Sequence, residues 1–173
     1  MSTQITDRIL GLFKSRLQTL EQLLNTADRE YSGGVEALLG AKIIDDMLPL
    51  GTQIAFTCNQ AHHFALWYAG KELTLLEPQI VSLAQAKKTI SDTLEELEQV
   101  NRNDEKLAET KRIDLPEGRY LMLKGQAYVD DWLLPNFYFH LVTAYNILRK
   151  NGINLGKRNF MLHLLPYVEQ DNG

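Results

Sequence analysis

Residues 130–157 read DDWLLPNFYFHLVTAYNILRKNGINLGK, and this stretch decides the fold of the chain. No Asp, Glu, Lys or Arg occurs at the 17 positions 132–148, although charged residues make up 23% of the whole sequence. Arg149 and Lys150 follow where cations stabilise a helix C-terminus, and Gly152 stands where a helix commonly ends. The pattern predicts a long helix that is covered on nearly every side.

Polar groups inside this predicted helix fall mainly on one face. At about 100° per residue, Asn136, His140 and Thr143 lie together, whereas Tyr138 and Tyr145 lie on another face. A helix this apolar with a ladder of hydrogen-bonding groups either lines a pocket of a bundle or satisfies its polar groups within a core. The sequence leaves both interpretations open.

Two long strings carry a family resemblance: LPNFYFHLVTAYNILRKNGINLGKRNF at 134–160 and LLGAKIIDDMLPLGTQI at 38–54. They resemble a bacterial domain-of-unknown-function family of the DinB-like four-helix-bundle superfamily, and the resemblance covers most of the chain. It implies an all-α, up-down four-helix bundle. It implies no reaction, because the family has no assigned activity, and it leaves open whether the protein is an enzyme.

Two helices are predicted before this stretch. Apolar residues recur at three- and four-residue steps over residues 5–27, and a helical pattern resumes after a Ser-Gly-Gly breaker. Pro49 lies inside the second pattern and lacks an N–H, so we expect a kink or a fresh helix start there. Asp45 and Asp46 then serve to cap the restart. The alternative is that Asp46 shares a helix face with Gln53 and points into the bundle.

A third helix and a hairpin complete the predicted architecture. Ser82 with Gln85 three residues later has the spacing of a capping box, which marks a helix start. The segments 111–115 (KRIDL) and 119–123 (RYLML) flank a Pro-Glu-Gly turn and predict a small β-hairpin before the last long helix. We interpret residues 1–173 as a single domain.

Composition narrows the classes of function. The net charge of −4 and the scattering of the 18 Lys and Arg residues argue against nucleic-acid binding. Cys58 is the one cysteine and has no partner for an internal disulfide, and the first residues show no apolar signal segment, so we expect a cytoplasmic protein. The uncharged stretch around His140 carries Pro135 and barely reaches the length of a membrane span, so no membrane association is predicted.

His140 is the chief candidate for chemistry, because imidazole titrates near neutral pH and is the commonest metal ligand. The resemblance to DinB-like proteins implies metal sites of three histidines, two of them four residues apart, but an alanine stands four residues after His140. His62 and His63 are adjacent and point about 100° apart, and His163 lies in the tail. We therefore predict no metal site and leave the cofactor unknown. The surviving metal arrangement pairs His140 with Asp46 and water.

Without metal, His140 is predicted to act as a general base oriented by a carboxylate. We assign catalytic roles to three residues whose groups take part in proton transfer: His140, Asp46 and Tyr145. Four more are assigned to ligand binding through hydrogen bonds or charge: Asn136, Gln53, Tyr138 and Arg149. The structural alternatives are a core histidine, packing tyrosines and an arginine that caps its helix.

Three functions from different classes remain. The favoured one is a small-molecule pocket between the second and fourth helices around His140. The second is a metal-dependent hydrolase or transferase of the kind implied by the DinB-like resemblance. The third is a non-catalytic protein whose aromatic helix is covered in a homodimer, because the uncharged run exceeds what one bundle face usually needs.

Overall fold

The computed structural model describes residues 2–170, and four long helices dominate it. In chain order the elements are α1 (Gln4–Glu30), a 3₁₀ turn (Val35–Leu38), α2 (Leu50–Tyr68), α3 (Leu83–Glu98), a 3₁₀ turn (Asp104–Ala108), β1 (Thr110–Asp114), β2 (Tyr120–Lys124), α4 (Gly125–Ala127), a π-helical segment (Tyr128–Leu133), α5 (Leu134–Lys150), α6 (Lys157–Phe160) and a 3₁₀ segment (Leu162–Tyr167).

The long helices form the predicted up-down bundle. α2 packs against both α3 and α5, and α1 packs against all three of these helices to close the bundle. α2 and α5 run antiparallel: Gln53 near the start of α2 contacts His140 near the middle of α5, whereas Trp67 at the other end of α2 contacts Tyr128, which precedes α5 in the chain. Within residues 2–170, none of the helices combines the length and the hydropathy that crossing a bilayer requires.

Aromatic side chains fill the centre of the bundle. The ring of Phe13 on α1 lies 5.6 Å from that of Phe64 on α2 and 5.0 Å from that of Phe137 on α5. All three side chains are fully buried. Because buried apolar area is the main favourable term in folding, this cluster joins the long helices into one core.

α2 begins afresh at Leu50, directly after Pro49, as the proline predicted. The N–H groups of Leu50 and Gly51, which have no partner within the helix, donate to the carbonyls of Ala41 and Leu39, both at 2.9 Å. The predicted cap by Asp45 and Asp46 is wrong, because backbone carbonyls of the preceding loop already accept hydrogen bonds from these N–H groups. The helical pattern before the proline forms only a single 3₁₀ turn.

The start of α3 follows the predicted capping box with one variation. Oγ of Ser82 accepts a hydrogen bond from the N–H of Gln85 at 3.1 Å. The side chain of Gln85 reaches back one residue further than the motif requires, and its Oε1 accepts from the N–H of Val81 at 3.0 Å. The predicted hairpin is also confirmed, with β1 and β2 antiparallel and Thr110 opposite Lys124.

α4, the π-helical segment and α5 form one continuous helical stretch. Pro135 has no N–H to donate to the preceding turn, and the backbone is wound wider immediately before it. Nδ2 of Asn136 donates to the carbonyl of Trp132 at 2.7 Å and so satisfies part of this turn. α5 ends as predicted: Gly152 has a φ of +86°, and the next N–H donates to the carbonyl of Leu148 at 3.2 Å.

The start of α1 is capped from a distant part of the chain. Oδ1 of Asp104 accepts from the N–H and the hydroxyl of Thr6 at 2.9 and 2.8 Å, and its Oδ2 accepts from the hydroxyl of Ser2 at 2.6 Å. The Ser2 hydroxyl and these further donors lower the pKa of Asp104 to about 2. A carboxylate at a helix N-terminus also opposes the positive end of the helix dipole.

Candidate functional site

A buried hydrogen bond between two polar side chains joins α2 to α5. Nδ1 of His140 lies 2.8 Å from Oε1 of Gln53, and Nε2 of Gln53 donates to the carbonyl of Leu48 at 3.0 Å. Gln53 is 1% exposed and His140 is 9% exposed. Gln53 and His140 were both predicted site residues, and the structure brings them together.

This chain of contacts fixes the protonation of the imidazole. Because Nε2 of Gln53 points at the Leu48 carbonyl, the atom that faces His140 is the amide oxygen, which only accepts. Nδ1 of His140 therefore carries the proton, and Nε2 carries a lone pair when the ring is neutral. Burial lowers the pKa of His140 to about 4, so the ring is neutral at pH 7.

Two aromatic side chains pack against the imidazole of His140. The rings of Phe56 and Phe139 meet the imidazole edge to face at 5.2 and 5.3 Å. Phe139 is 56% exposed, and the side chain of Leu48 is also exposed. Nε2 of His140 has no protein partner within the described chain and is not among its fully enclosed polar atoms, so it reaches solvent. We call Phe56, Phe139 and His140 the His140 face.

The other predicted site residues lie away from this contact or are engaged elsewhere. Asp46 is exposed before α2 begins, and within residues 2–170 its carboxylate makes no ion pair or hydrogen bond. Tyr145 packs edge to face on Phe160 at 5.6 Å. Three others have separate positions along α5: Asn136 bonded to its own helix, Tyr138 against Phe137, and Arg149 exposed near the C-terminus.

Histidines 62 and 63 converge on Thr74, a contact that helix geometry alone did not indicate. Nδ1 of His62 lies 2.6 Å from a carboxylate oxygen of Glu96, and its Nε2 lies 3.3 Å from the Thr74 hydroxyl. Nε2 of His63 lies 3.0 Å from the Thr74 carbonyl. The two side chains tie the segment after α2 to the bundle. Across residues 2–170 no group of three or more His, Cys, Asp or Glu side chains is arranged to hold a metal ion.

Cys58 offers no nucleophile. Its side chain is fully buried on α2, and this burial raises the pKa of the thiol to about 12. At neutral pH the thiol is protonated, and only the thiolate is strongly nucleophilic. Cys58 therefore packs as a small hydrophobic residue.

Among the surface cavities of residues 2–170 are five with volumes of about 180 to 510 Å³. His140 lines none of these five. The cavity of about 390 Å³ between the end of α2 and the hairpin contains His63 and Tyr128, two residues to which the sequence analysis gave no site role. Tyr128 is unusual because its hydroxyl is enclosed without a hydrogen-bond partner in the described chain, a feature that only the structure reveals.

The antiparallel helices and the hairpin before the last long helix define a helical-bundle protein. Its buried His140–Gln53 pair leaves one imidazole nitrogen, Nε2 of His140, without a partner in the described chain. The chain belongs to the family described as Domain of unknown function (DUF1993), whose sequence model matches residues 5–161. No curated protein matches the chain.

A crystal structure of a DinB family member protein from Shewanella denitrificans is similar, with a TM-score of 0.82 and 24% sequence identity. The match covers 98% of this chain and 100% of that protein. At this identity the likeness establishes the fold, and it confirms the DinB-like bundle that the sequence predicted.

Proposed function

We propose that the protein binds a small, mostly apolar molecule at the His140 face, between α2 and α5. In this proposal Nε2 of His140 accepts a hydrogen bond from a hydroxyl or N–H group of the ligand. The observation that carries the proposal is the hydrogen-bond chain from the Leu48 carbonyl through Gln53 to His140, which leaves the one lone pair facing outward. Phe56 and Phe139 supply apolar surface next to the imidazole.

The electrostatics favour binding over proton transfer. A general base works best when its pKa is near the working pH, and the pKa of His140 is about 4 because the ring is buried. The ring remains a good hydrogen-bond acceptor when neutral. Gln53 holds the ring in place before a ligand arrives, so little ordering is needed on binding.

Asn136 is the predicted ligand-binding residue best positioned to assist. It lies one helical turn before His140 on the same face of α5, at about 5–6 Å between the Cβ atoms. Its Nδ2 is committed to the Trp132 carbonyl, so its Oδ1 is the group that remains to accept. The proposed ligand therefore carries two donors at roughly that spacing. Tyr145, Tyr138 and Arg149 have no part in this version of the site.

A fragment screen tests the proposal directly. Small molecules with one aromatic ring and one or two donors are screened by ligand-observed NMR, and hits are titrated into ¹⁵N-labelled protein. We expect chemical-shift changes at the backbone amides of Gln53 and His140. In His140→Phe, which keeps an aromatic ring but removes the acceptor nitrogen, the affinity should fall about tenfold. Asn146→Ala, on an exposed position of the same helix, serves as the matched control and should bind as the wild type does.

The result that would overturn the proposal is equally specific. Hits that bind His140→Phe with unchanged affinity, or whose shifts lie away from α2 and α5, contradict a site at His140. Because His140→Phe leaves the Gln53 oxygen without its partner, its folding is checked by circular dichroism before binding is compared. The double variant Gln53→Leu with His140→Phe removes both polar partners and provides a second route if the single variant is unstable.

Self-association is a second candidate, favoured by the exposure of two apolar side chains on α5. Phe139 is 56% exposed and Val142 is 39% exposed. A homodimer through this surface would cover both side chains and the His140 face. Light scattering at micromolar concentration tests it, with Val142→Glu as the disrupting variant. A monomeric mass for the wild type counts against the dimer and leaves the ligand proposal standing.

A metal-dependent hydrolase or transferase has less support from the described residues. The metal arrangement that the sequence left open paired His140 with Asp46. In the structure Nδ1 of His140 is bonded to Gln53, and Asp46 lies exposed before α2. A metal at His140 would have Nε2 as its one imidazole ligand, whereas catalytic zinc sites commonly use three protein ligands. A thermal shift on adding Zn²⁺ or Mn²⁺ that disappears in His140→Phe would restore this candidate.

A further inference from the structure

A second site of different chemistry lies near the other end of α2. Its residue His63 follows Gln53 by ten positions, which is about 15 Å along a helix that rises 1.5 Å per residue. It is a cavity of about 390 Å³ between the end of α2, the segment that follows it, β1 and the π-helical segment. We call it the hairpin cavity. Its lining includes His63, Lys71, Lys111, Tyr128 and Trp132.

Tyr128 is the first unusual feature of the hairpin cavity. The side chain is 1% exposed, and its hydroxyl has no hydrogen-bond partner within residues 2–170. Burial raises the pKa of Tyr128, so the phenol stays protonated and keeps its O–H as a donor. An enclosed polar group without a partner is rare in folded proteins and calls for a water or a ligand. The π-helical segment that carries it is a backbone form that occurs often at functional sites.

The charges around the hairpin cavity are the second feature. Five charged side chains line it: Lys71, Lys111, Arg112, Glu72 and Asp114. Nε of Arg112 donates to Oδ1 of Asp114 at 2.7 Å, and its guanidinium lies 4.0 Å from the Tyr120 ring centre, so this pair is internally satisfied. Neither lysine forms an ion pair with a carboxylate of the described chain. With Glu72 as the remaining acid, the cavity has an excess of one positive charge.

His63 adds a neutral polar group to the hairpin cavity. Because the Thr74 carbonyl only accepts, Nε2 of His63 carries the proton that it donates there at 3.0 Å, and Nδ1 carries a lone pair. Burial chiefly lowers the pKa of His63, and the Lys111 charge lowers it further. His63 therefore does not add to the positive charge at neutral pH. Leu73, Ile113 and Trp132 provide the apolar part of the lining.

We propose that the hairpin cavity binds a small organic monoanion, with its carboxylate held by Lys71 and Lys111 and its apolar part against Trp132. In this proposal the lining side chains shift on binding, so that the enclosed Tyr128 hydroxyl donates to the ligand. Lys71 and Lys111 carry two positive charges, and Glu72 cancels one of them. The remaining positive charge matches the single negative charge of a carboxylate. The phenol supplies a neutral donor that does not repel an anion. This ligand class differs from that of the His140 face, which offers a neutral acceptor and no cation, so the two proposals stand or fall separately.

Benzoate is a suitable probe, with benzamide as its uncharged counterpart of the same shape. Each is titrated into ¹⁵N-labelled full-length protein and followed by backbone amide shifts. We expect benzoate to shift residues 71–74, 111–114 and 128–132 and to bind about tenfold more tightly than benzamide. Equal affinities for the two probes, or shifts outside these segments, overturn the proposal.

Two substitutions separate binding from a structural role. Lys111→Gln should weaken benzoate binding about tenfold, whereas the matched change Lys87→Gln on α3 should leave it unchanged. Tyr128→Phe should weaken binding and at the same time raise the melting temperature, because it deletes a buried hydroxyl that has no partner. A variant Tyr128→Phe that is less stable than the wild type and binds benzoate equally well contradicts the assignment. So does equal binding by the two lysine variants.

Discussion

Nδ1 of His140 donates a hydrogen bond of 2.8 Å to Oε1 of Gln53, and this contact joins two helices across 87 positions of sequence. The amide of Gln53 cannot rotate to offer its NH₂ group instead, because that group is already bonded to the Leu48 carbonyl. The polar chain therefore has one direction. It starts at a backbone acceptor, passes through the amide and ends at an imidazole with its second nitrogen free.

Removing the Gln53 amide tests how much the His140–Gln53 hydrogen bond contributes to stability. Gln53→Leu keeps much of the volume but leaves Nδ1–H of His140 without a partner, which should cost about 1–3 kcal/mol in the free energy of unfolding. Urea denaturation measures the loss. Gln18→Leu on the exposed face of α1 is the control, and surface changes of this kind stay within about 0.5 kcal/mol. Equal stabilities of the two variants would contradict a structural role for the pair.

The buried imidazole predicts how stability depends on pH. The pKa of His140 is about 4 in the folded protein because of burial, against 6.5 for the free side chain. Between these values the unfolded chain takes up a proton that the folded protein refuses, so stability falls as the pH falls from about 6.5 to about 4. The full effect is at most about 3 kcal/mol. Unfolding curves of the wild type and His140→Phe should differ in slope over this range, and parallel curves would contradict the low pKa.

The cap by Asp104 predicts a separate acid transition. The carboxyl has a pKa of about 2, mainly because the Ser2 hydroxyl donates to it, against 3.8 for the free side chain. Its contribution is complete above pH 3.8 and disappears as the pH falls through about 2. Asp104→Ala should lower the melting temperature at pH 7 and speed amide exchange at Thr6. Asp92→Ala, which removes only a surface ion pair with Lys88, is the control and should change neither.

Two glycines in helices, one beside the Trp67 ring and one exposed, make a matched pair for testing packing. A Cβ at Gly125 would lie 2.5 Å from the Trp67 ring and 2.9 Å from Cα of Leu107, so Gly125→Ala should destabilise the fold by about 1–3 kcal/mol. At Gly11, on the exposed side of α1, a Cβ meets no described atom within 4 Å. Gly11→Ala should therefore stabilise the protein by up to about 1 kcal/mol. Thermal unfolding distinguishes the opposite signs, and two changes of equal sign would contradict this packing.

Local signals in the sequence predicted the helix ends well. Ser82 with Gln85 and the glycine at 152 act through contacts within three to five residues, so their spacing alone reveals them. The cap of α1 was not predictable in this way. Asp104 and Thr6 are 98 residues apart, and no pattern in the sequence says which distant carboxylate reaches a helix start.

The candidate site was predicted in part for a similar reason. His140 was chosen for the chemistry of its imidazole, and Gln53 because it shares a helix face with Asp46. Their pairing follows from the antiparallel packing of α2 and α5. Asp46 was placed beside them by assuming that helical periodicity extends before Pro49. The helix starts at Leu50, so that periodicity does not apply to Asp46. The enclosure of the Tyr128 hydroxyl without a partner depends on tertiary packing, which periodicity cannot reveal.

The most direct test of the central claim is a long-range ¹H–¹⁵N NMR spectrum of the His140 ring at pH 7, assigned with His140→Phe. We expect a neutral ring with the proton on Nδ1 and an unprotonated Nε2, and an Nε2 signal that moves when a ligand with a donor group binds. A protonated imidazolium at pH 7, or a neutral ring with its proton on Nε2, would contradict the account.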